Sequence, residues 1–461
     1  MKIKTISRSS DNYVPVRNTQ KSILPKNNSS TLHPFEKQRE YAKALQATKL
    51  ERLFAKPFLY QLGRGHADGV YSICKNDNDL SKLCTGSGDG FIKYWNLNDP
   101  KDEKLSFKAH NGIIKSLTIL RNNGNNLLSC GGEDNTVKLW SLNDHDFRHK
   151  SNFNNFHSIN KPGLIKSWTG EYSFQAMDSH KAEPKFVTGG YKVELWDINR
   201  SNPISDLTWG SDSIISLKFN PLQTSIFATS GSDNNLNLYD LRTNSSIQKL
   251  ITSFKVNSIS WNPIKPHNFM AASEDENAYY YDMRFLKKSL LIFKDHVAPI
   301  LDIDFSSNGR EFVTGSYDKT IRIFNINEPR SRDIYHTKRM QHVFKVIYSS
   351  DNKYIISGSD DCNVRVWRSK ASERSNIKSS RELTHLIKVE RLKEKYKNMP
   401  EIKRISRHRH LPKGIKKAKD HKIVQMESIK RKEFNEKRHR KPEYNKVQDE
   451  KEKHIVNLAF K

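Results

Sequence analysis

The chain has 461 residues, with 79 Lys and Arg against 51 Asp and Glu, and a formal net charge of +28. Its four cysteines, Cys74, Cys84, Cys130 and Cys362, show no paired close spacing, so neither a disulfide framework nor a zinc site is indicated. No apolar run approaches the roughly 20 residues needed to span a bilayer, and the N-terminus lacks the apolar core of a secretory signal. We therefore expect an intracellular, soluble protein with no membrane partner and no bound metal.

The positive charge is concentrated at the two ends of the chain. Residues 1–60 carry 12 basic and 4 acidic side chains, and residues 369–461 carry 29 and 13. The body between them, residues 61–368, carries 38 basic and 34 acidic side chains. A nearly neutral body with two basic ends is typical of a protein that touches a polyanion through its tails.

The middle of the chain repeats one short motif, an Asp followed six residues later by a large aromatic residue. The aspartates of its six copies are Asp89, Asp134, Asp233, Asp275, Asp318 and Asp361. The matching aromatic residues are Trp95, Trp140, Tyr239, Tyr281, Phe324 and Trp367. A seventh copy ends at Trp196 and has Gly190 where the Asp is expected. Successive aromatic residues lie 45, 56, 43, 42, 43 and 43 residues apart, and the longest interval contains an insertion around residues 145–163.

This period and this motif resemble WD40 repeats, whose unit is a four-stranded propeller blade. The resemblance spans roughly residues 64–368, and its Gly-His signature is present at Gly65-His66, 23 residues before Asp89. Comparable histidines lie at His110 and His296. The resemblance implies an all-β fold: a seven-bladed WD40 propeller with an N-terminal extension and a basic, helical C-terminal extension.

The recurring polar residues predict a structural network instead of a catalytic site. A Ser, His and Asp beside a Trp could be drawn as a hydrolase triad, but a catalytic site is needed once and this set recurs. We expect these residues to lock a turn in their blades through hydrogen bonds: His66, Ser87, Asp89, Trp95, His110, Asp134, Trp140, His296 and Asp318. The absent Asp at Gly190 predicts a looser third blade. No enzyme activity, cofactor or small-molecule substrate is expected.

The ring of blades must be closed by a strand from outside the repeats. After Trp367 the chain enters a polar linker, residues 369–382, so blade seven lacks a fourth strand. The apolar segment Phe58 to Leu62 is available and is predicted to supply it, which would protect the exposed sheet edge. The predicted domains are therefore a basic extension at 1–57, the propeller at 58–368, and a basic helical region at 383–461. We expect deletion of residues 400–461 to leave the melting temperature nearly unchanged.

The C-terminal region contains two helical patterns around a strongly basic stretch. Residues 383–399 predict an amphipathic helix that ends at Pro400, and residues 419–441 predict a second, highly charged helix. Residues 401–422 hold six Lys and three Arg against Glu401 and Asp420. Because arginine forks match phosphate oxygens and few aromatic residues are interleaved, this pattern favours phosphate contact without sequence readout. The predicted contact residues are Arg404, Arg407, His408, Arg409, His410, Lys413, Lys416 and Lys417.

The basic residues of the C-terminal region have two other interpretations, of which the first stays open and the second is weak. The runs KGIKKAK and KRKEFNEKRHRK also have the composition of a nuclear import signal, which is compatible with phosphate contact. His408 and His410 have no third and fourth ligand at a familiar spacing, so a metal site is poorly supported.

Three segments outside the repeats carry a more specific resemblance. They are TLHPFEKQREYAKALQATKLERLFAKPF at 31–58, PEIKRISRHRHLPKGIKKA at 400–418, and the ending EKEKHIVNLAFK. Together they resemble the WD-repeat proteins with a Sof-like C-terminal domain, components of the U3 small nucleolar ribonucleoprotein. The resemblance implies a nucleolar, non-enzymatic scaffold of the small-subunit processome that helps to mature 18S ribosomal RNA. The implied partners are precursor ribosomal RNA or U3 small nucleolar RNA, together with other processome proteins.

A second class of function rests on the ends of two consecutive repeats. YDLR at 239–242 and YDMR at 281–284 place Asp240 before Arg242 and Asp282 before Arg284. These boxes resemble those by which WD40 substrate receptors dock on cullin-RING ubiquitin ligases. The alternative is that they are ordinary repeat ends with exposed loop arginines, which is favoured because such short motifs recur often by chance.

Overall fold

The computed structural model describes residues 31, 34–101, 103–120, 124–142, 163–207, 209–210, 212–373, 377–440 and 449–460. Nearly all of the predicted insertion at 145–163 and most of the N-terminal extension therefore lie outside the described residues. The chain forms two compact units. The propeller unit contains Phe58–Ser369 and residues 411–461, and the helical unit contains residues 370–410 together with the chain before Phe58.

The propeller unit is built from seven antiparallel sheets. The first strand of the chain, β1 (Phe58–Gln61), belongs to the last blade. Blade one comprises β2 (Val70–Lys75), β3 (Lys82–Ser87), β4 (Phe91–Asn96) and β5 (Glu103–Lys108). Blade two comprises β6 (Ile114–Ile119), β7 (Asn126–Gly131), β8 (Thr136–Ser141) and β9 (Leu164–Thr169). Blade three comprises β10 (Ala176–Ser179), β11 (Lys185–Gly189), β12 (Val193–Asp197) and β13 (Ser205–Asp206).

The remaining blades follow the same order. Blade four comprises β14 (Ile214–Phe219), β15 (Ile226–Gly231), β16 (Asn235–Asp240) and β17 (Ser245–Thr252). Blade five comprises β18 (Val256–Trp261), β19 (Asn268–Ser273), β20 (Ala278–Asp282) and β21 (Leu291–Phe293). Blade six comprises β22 (Ile300–Phe305), β23 (Glu311–Ser316), β24 (Ile321–Asn325) and β25 (Ser331–Tyr335). Blade seven comprises β26 (Val343–Tyr348), β27 (Tyr354–Ser359), β28 (Val364–Arg368) and β1. The predicted seven-bladed propeller is confirmed.

The core of the propeller lies between neighbouring blades. The innermost strand of each blade contacts that of the next, and β26 of blade seven contacts β2 of blade one. Apolar side chains of one blade face those of its neighbour, as where Phe107 packs against Trp140 with ring centroids 4.9 Å apart. A blade can bury each of its two faces only against a neighbouring blade. The blades therefore depend on each other for a dry core.

The motif aspartate begins a tight turn between the second and third strands of its blade. The residue after it has a left-handed backbone in six blades: Gly90, Asn135, Asn234, Glu276, Lys319 and Cys362. Glycine and asparagine adopt this conformation readily, whereas the other side chains are held in it by the surrounding hydrogen bonds. We call the side of the propeller that carries these turns the aspartate-turn face.

Strand β1 forms the outer edge of blade seven. It pairs antiparallel with β28, with Phe58 opposite Trp367 and Gln61 opposite Arg365. The Phe58 and Trp367 rings meet edge to face, with centroids 5.5 Å apart. Leu62 follows the strand and is fully buried, and its N–H donates to the oxygen of Val364 at 2.9 Å. The segment before the first repeat therefore supplies the outermost strand of the last blade.

The end of the chain adds a fifth strand to blade four. This strand, β29 (Ile455–Phe460), pairs antiparallel with β17 along the outer edge of the sheet. The preceding residue, His454, stacks on the Tyr279 ring with centroids 3.9 Å apart, and its Nε2 bonds the Tyr281 hydroxyl at 2.7 Å. The expectation that residues 400–461 can be deleted with the melting temperature nearly unchanged does not fit this arrangement, because residues 455–460 cover the outer edge of blade four.

The helical unit packs α1 (Glu36–Leu53) against α2 (Ser380–Lys395) and α3 (Pro400–Arg407). Its small core consists of Ala44, Leu392, Tyr396, Met399 and Ile402, with Tyr41 and Leu45 at its edge. The predicted linker at 369–382 is shorter than expected, since the Ser379–Glu382 capping box starts α2 three residues before 383. Pro400 opens α3 at its first helical position, where proline is favoured.

The predicted region 383–461 is divided at His410 between the two units. Its last helix, α4 (Lys413–His439), belongs to the propeller unit and begins six residues before the predicted start at 419. Pro412 stands immediately before the first turn, and because the residue before a proline is disfavoured in a helix, the helix begins directly after Pro412. One basic pattern in the sequence is thus carried by two separate units.

Candidate ribonucleoprotein interface

The hydrogen-bond network predicted for the blades is complete in blade two. The Trp140 indole N–H donates to Ser129 Oγ at 2.9 Å, and Ser129 lies 2.8 Å from His110 Nε2. His110 Nδ1 lies 3.1 Å from Asp134 Oδ2, so this nitrogen carries the proton. The same Asp accepts the N–H of Asn111 at 3.0 Å. The chain of donors runs from the sheet to the turn and fixes the turn against the strand before it.

In blade one the hydroxyl that bonds the His was not among the predicted residues, and the His does not bond the turn Asp. The hydroxyl between His66 and Trp95 belongs to Thr85, at 2.7 and 2.8 Å, and not to Ser87. Ser87 instead bonds Asp89, and His66 Nδ1 has no hydrogen-bond partner within the described part of the chain. Thr85 and Ser87 lie on the same side of β3, and it is Thr85, 19 residues after His66, that occupies the position held by Ser129 in blade two, 19 residues after His110.

The histidines of these networks are neutral at pH 7. Burial lowers the pKa of His66 and of His110 to about 4, with Lys93 and Lys138 adding to the effect. The contact between His110 and Asp134 is therefore a hydrogen bond between a neutral ring and a carboxylate. Because the same arrangement recurs in blade six, where His296 Nδ1 lies 2.9 Å from Asp318 Oδ2, it serves the fold and not a reaction.

Blade six extends its network into a buried charge cluster. The Arg322 side chain is fully buried and lies 3.2 Å from Asp318 Oδ2 and 3.2 Å from Asp295 Oδ2. Burial alone would raise the pKa of Asp295, but Arg322 and Lys419 outweigh it and hold that pKa well below its usual range. Buried carboxylates of this kind require cationic partners.

Helix α4 supplies one of those partners and docks on the aspartate-turn face. Lys419 Nζ lies 2.6 Å from Asp295 Oδ1. One turn further along, Lys422 Nζ bonds the Glu276 carboxylate and donates to the oxygen of His296 at 3.0 Å. Lys419 and Lys422 belong to the basic stretch 401–422, but the propeller itself uses them, so they are not free for a polyanion.

Five residues of the predicted phosphate-contact set lie in the helical unit. Arg404 and Arg407 are exposed in the last turn of α3, where cations complement the helix dipole. His408 leaves the helix with extended backbone, and its ring lies 6.2 Å from that of His410. Arg409 is half-buried and donates to a carbonyl oxygen of the last helical turn at 2.6 Å. The unit thus presents three arginines and two histidines within seven residues.

The other three predicted residues lie in the propeller unit. Lys413, Lys416 and Lys417 are exposed in the first turns of α4. That first turn contains no acidic residue and no side-chain cap. Lysines at a helix N-terminus are repelled by the positive end of the helix dipole. An anion bound there would stabilise both the lysines and the helix end. This local imbalance favours a phosphate ligand.

The two Asp-x-Arg boxes have the same geometry. In each, the carboxylate accepts the Arg side chain, with Nη2 to Oδ2 distances of 3.0 Å from Arg242 to Asp240 and 3.1 Å from Arg284 to Asp282. Each carboxylate also accepts the backbone N–H of its own Arg. The arginine side chains are 75% and 64% exposed. They end the third strands of blades four and five, and therefore lie on the side opposite the aspartate-turn face.

The axis of the propeller contains a cavity of about 450 Å³. Its lining carries four lysines and four aspartates, among them Lys345 with Nζ 2.6 Å from Asp302 and Lys218 with Nζ 3.7 Å from Asp178. Paired charges leave little net field to attract a charged ligand. Across the described helices, none is long and apolar enough to cross a bilayer. The described residues also contain no group of three His, Cys, Asp or Glu side chains that could hold a metal ion.

The residues that attach the C-terminal region to the propeller could not be recognised from the sequence. Arg322 reads as an ordinary polar strand position, and Asp295 precedes the signature His296 without being part of the motif. Lys419 and Lys422 are three residues apart and so lie on one side of a helix. This spacing indicates an ion-pairing surface only when the acidic partners are known. The ending HIVNLAF has the composition of a strand, but nothing in it identifies β17 as the partner.

The fold defines a WD-repeat propeller protein with an additional C-terminal region. The WD domain, G-beta repeat model matches residues 58–96, 101–141, 287–325 and 334–368. The Sof1-like domain model matches residues 369–455. Of blades three, four and five, these repeat matches include only residues 287–293. In those blades the motif has Gly190 for Asp, and Tyr239 and Tyr281 for Trp.

Full-length similarity identifies the family. The chain is 55% identical to Protein SOF1 of Saccharomyces cerevisiae over 451 residues, which are 96% of this chain and 92% of that protein. It is 41% identical to DDB1- and CUL4-associated factor 13 of Mus musculus over 459 residues, covering all of both. The Dictyostelium discoideum protein of the same name is 41% identical over 420 residues, 91% of each chain. The chain belongs to the Sof1-like family of WD-repeat proteins.

Proposed function

We propose that this protein is a non-enzymatic scaffold of the nucleolar small-subunit processome, acting in the maturation of 18S ribosomal RNA. As a homologue of Protein SOF1 at 55% identity it is a ribosome biogenesis factor. The propeller offers rigid surfaces for protein partners, and the exposed cations on α3 and at the start of α4 offer contacts for RNA phosphates. Its site of action is the nucleus, within the nucleolus.

The single observation that supports the RNA contact is that the propeller binds some of the basic side chains and leaves others exposed. Lys419 and Lys422 are bound by carboxylates of the propeller. Arg404 and Arg407 point into solvent from a helix end. Cations that are exposed and clustered release counterions when a phosphate replaces them, and this favours binding without sequence preference. The contact set is Arg404 to His410 on one unit and Lys413 to Lys417 on the other.

The test is the triple charge reversal Arg404→Glu, Arg407→Glu and Arg409→Glu in the full-length protein. We expect its affinity for a single-stranded RNA fragment to fall and the slope of log affinity against log salt to flatten by about 2, since each lost contact removes roughly 0.7. The matched control reverses Arg381, Lys388 and Arg391 in α2, which changes the net charge equally. An equal loss in both variants would show that only net charge matters.

Nuclear import is separated from RNA contact by a second arm. An independent import signal is attached to the triple variant, and its association with precursor ribosomal particles is measured. We expect association to remain low although import is restored. If restored import alone recovered association, the basic stretch would be an import signal and not an RNA contact.

A second candidate function is substrate recruitment to a cullin-RING ubiquitin ligase. The name of the mouse relative, DDB1- and CUL4-associated factor 13, and the exposed Arg242 and Arg284 favour it. The double variant Arg242→Ala and Arg284→Ala should abolish binding to a purified ligase adaptor if the boxes are docking sites. Unchanged adaptor binding, or an absence of binding by the unmodified protein, would exclude this use of the boxes.

A further inference from the structure

We propose that one face of α4 is a docking surface for an acidic, amphipathic segment of a partner protein. This face consists of Ile423, Val424 and Phe434 with Arg431 between them, and we call it the outward stripe. The proposal does not depend on the RNA contacts, because none of these residues belongs to the phosphate-contact set.

The geometry of α4 separates the outward stripe from the docked side of the helix. The docked side contains Lys419, Lys422 and Glu433, at spacings of three and eleven residues. Glu433 meets Lys453 at 2.7 Å, so α4 is attached to the propeller unit at two points along its length. The outward stripe is turned by about a third of a helical turn from that side.

The outward stripe exposes an unusual amount of apolar surface. Ile423 is 47% exposed, Val424 is 60% exposed and Phe434 is 66% exposed. Ile423 and Phe434 are eleven residues apart, about three turns, and so lie almost in line on the helix. Apolar side chains exposed in a row on a helix that is already held in place are typical of a helix that a partner covers.

Charge decides which occupant fits. Residues 423–440 carry six basic and three acidic side chains, and two of the acidic ones are paired, Glu433 with Lys453 and Glu436 with Arg440. A second copy of α4 would be repelled by this charge. The undescribed N-terminal residues 1–30 carry six basic side chains against Asp11, so they would be repelled as well.

RNA fits the outward stripe less well than an acidic protein segment does. RNA phosphates would satisfy Arg431, but they offer no aliphatic surface to Ile423 and Val424. An amphipathic segment with acidic residues beside apolar anchors satisfies both kinds of side chain at once. The partner is therefore a protein segment that carries Asp or Glu flanking apolar residues three to four positions apart.

The experiment places a photoreactive phenylalanine analogue at position 434 of the full-length protein in cells. After irradiation, the adducts are purified under denaturing conditions and the attached peptide is identified. We expect an adduct that resists ribonuclease and joins Phe434 to an acidic segment with apolar residues at that spacing. In the same protein, Ile423→Asp should lower the adduct yield about tenfold, whereas Ile423→Leu should preserve it.

Position 432 provides the matched control, because Lys432 is exposed on a third side of α4. The analogue placed there should not yield the same adduct. An adduct destroyed by ribonuclease, one formed with this chain or a second copy, one formed with a segment lacking acidic residues, or no adduct at all would overturn the proposal. RNA affinity measured on the Ile423→Asp variant should be unchanged, which separates this test from that of the phosphate contacts.

Discussion

Lys419 on the C-terminal helix and Asp295 on the aspartate-turn face meet at 2.6 Å, and Asp295 lies 3.2 Å from the buried Arg322. Because Arg322 also contacts Asp318, which bonds His296, the C-terminal helix is joined to the network that locks blade six. A motif that is structural within the repeat thus becomes the attachment point for a region outside the repeat.

Lys419→Met should loosen α4 without unfolding the propeller. Asp295 keeps Arg322 as a partner but loses a charge-assisted hydrogen bond, so we expect unfolding free energy to fall by about 1–2 kcal/mol. Hydrogen exchange across residues 413–430 should accelerate. Lys416→Met removes an exposed lysine one turn earlier and is the control. Equal protection of α4 in both variants would show that Lys419 does not hold the helix.

Acid should weaken the fold between pH 6.5 and pH 4. The folded-state pKa of His66, His110 and His454 is lowered to about 4, mainly by burial. The unfolded chain takes up protons near pH 6.5 and the folded one does not, so stability is lost as pH falls through this window. Each histidine contributes a slope of about 1.4 kcal/mol per pH unit.

Denaturant unfolding at pH 7, 6, 5 and 4.5 measures that slope. In His110→Gln the slope should decrease by about one histidine's share, although the variant is less stable at pH 7. A pH-independent stability would show that these rings titrate alike in both states.

Two N-terminal truncations test the strand that completes blade seven. Deletion of residues 1–57 removes α1 but keeps β1, and the propeller should keep its melting temperature. Deletion of residues 1–62 also removes β1 and the buried Leu62, whose burial is worth about 1.5–3 kcal/mol. The propeller should then melt lower by roughly 2–4 °C for each kcal/mol lost. The same melting temperature in both truncations would contradict the role of β1.

Removal of residues 449–461 should expose the outer edge of blade four. Strand β17 loses its partner β29, and Tyr281 loses its hydrogen bond with His454. Amide exchange in β17 should rise several-fold while exchange in β25 of blade six does not change. Val456→Ala changes a side chain that is 68% exposed, and it should have no effect. Undiminished protection of β17 after truncation would show that β29 is dispensable.

Restoring the missing motif residue in blade three should destabilise that blade. A Cβ atom at Gly190 would lie 2.2 Å from the backbone oxygen of Ser173, so Gly190→Asp cannot be accommodated without a backbone shift. We expect a lower melting temperature. Gly163→Ala is the control, because a Cβ there meets nothing within 4 Å. A higher melting temperature for Gly190→Asp would instead support the prediction that this blade is loose for want of the Asp.

The seven blades and the elements that bound them could be predicted from sequence because their information is local and repeated. The spacing of Trp95, Trp140 and Trp367 reflects one unit of four strands, and seven copies must form a ring to bury their faces. The apolar residues around Phe58 to Leu62 could be recognised as a strand without a partner in their own repeat. The charge of the C-terminal stretch was equally visible.

Which of the basic residues are available was decided only by tertiary structure. Nothing in the sequence distinguishes Lys417 from Lys419, yet Lys417 is exposed and Lys419 contacts the buried Asp295. Thr85 and Ser87 lie on the same side of β3, and the position of the His66 ring along the strand decides that it bonds Thr85. Contacts such as His454 with Tyr281 join residues 173 positions apart. No local pattern encodes such a pairing, because its energy comes from surfaces that exist only once the propeller has closed.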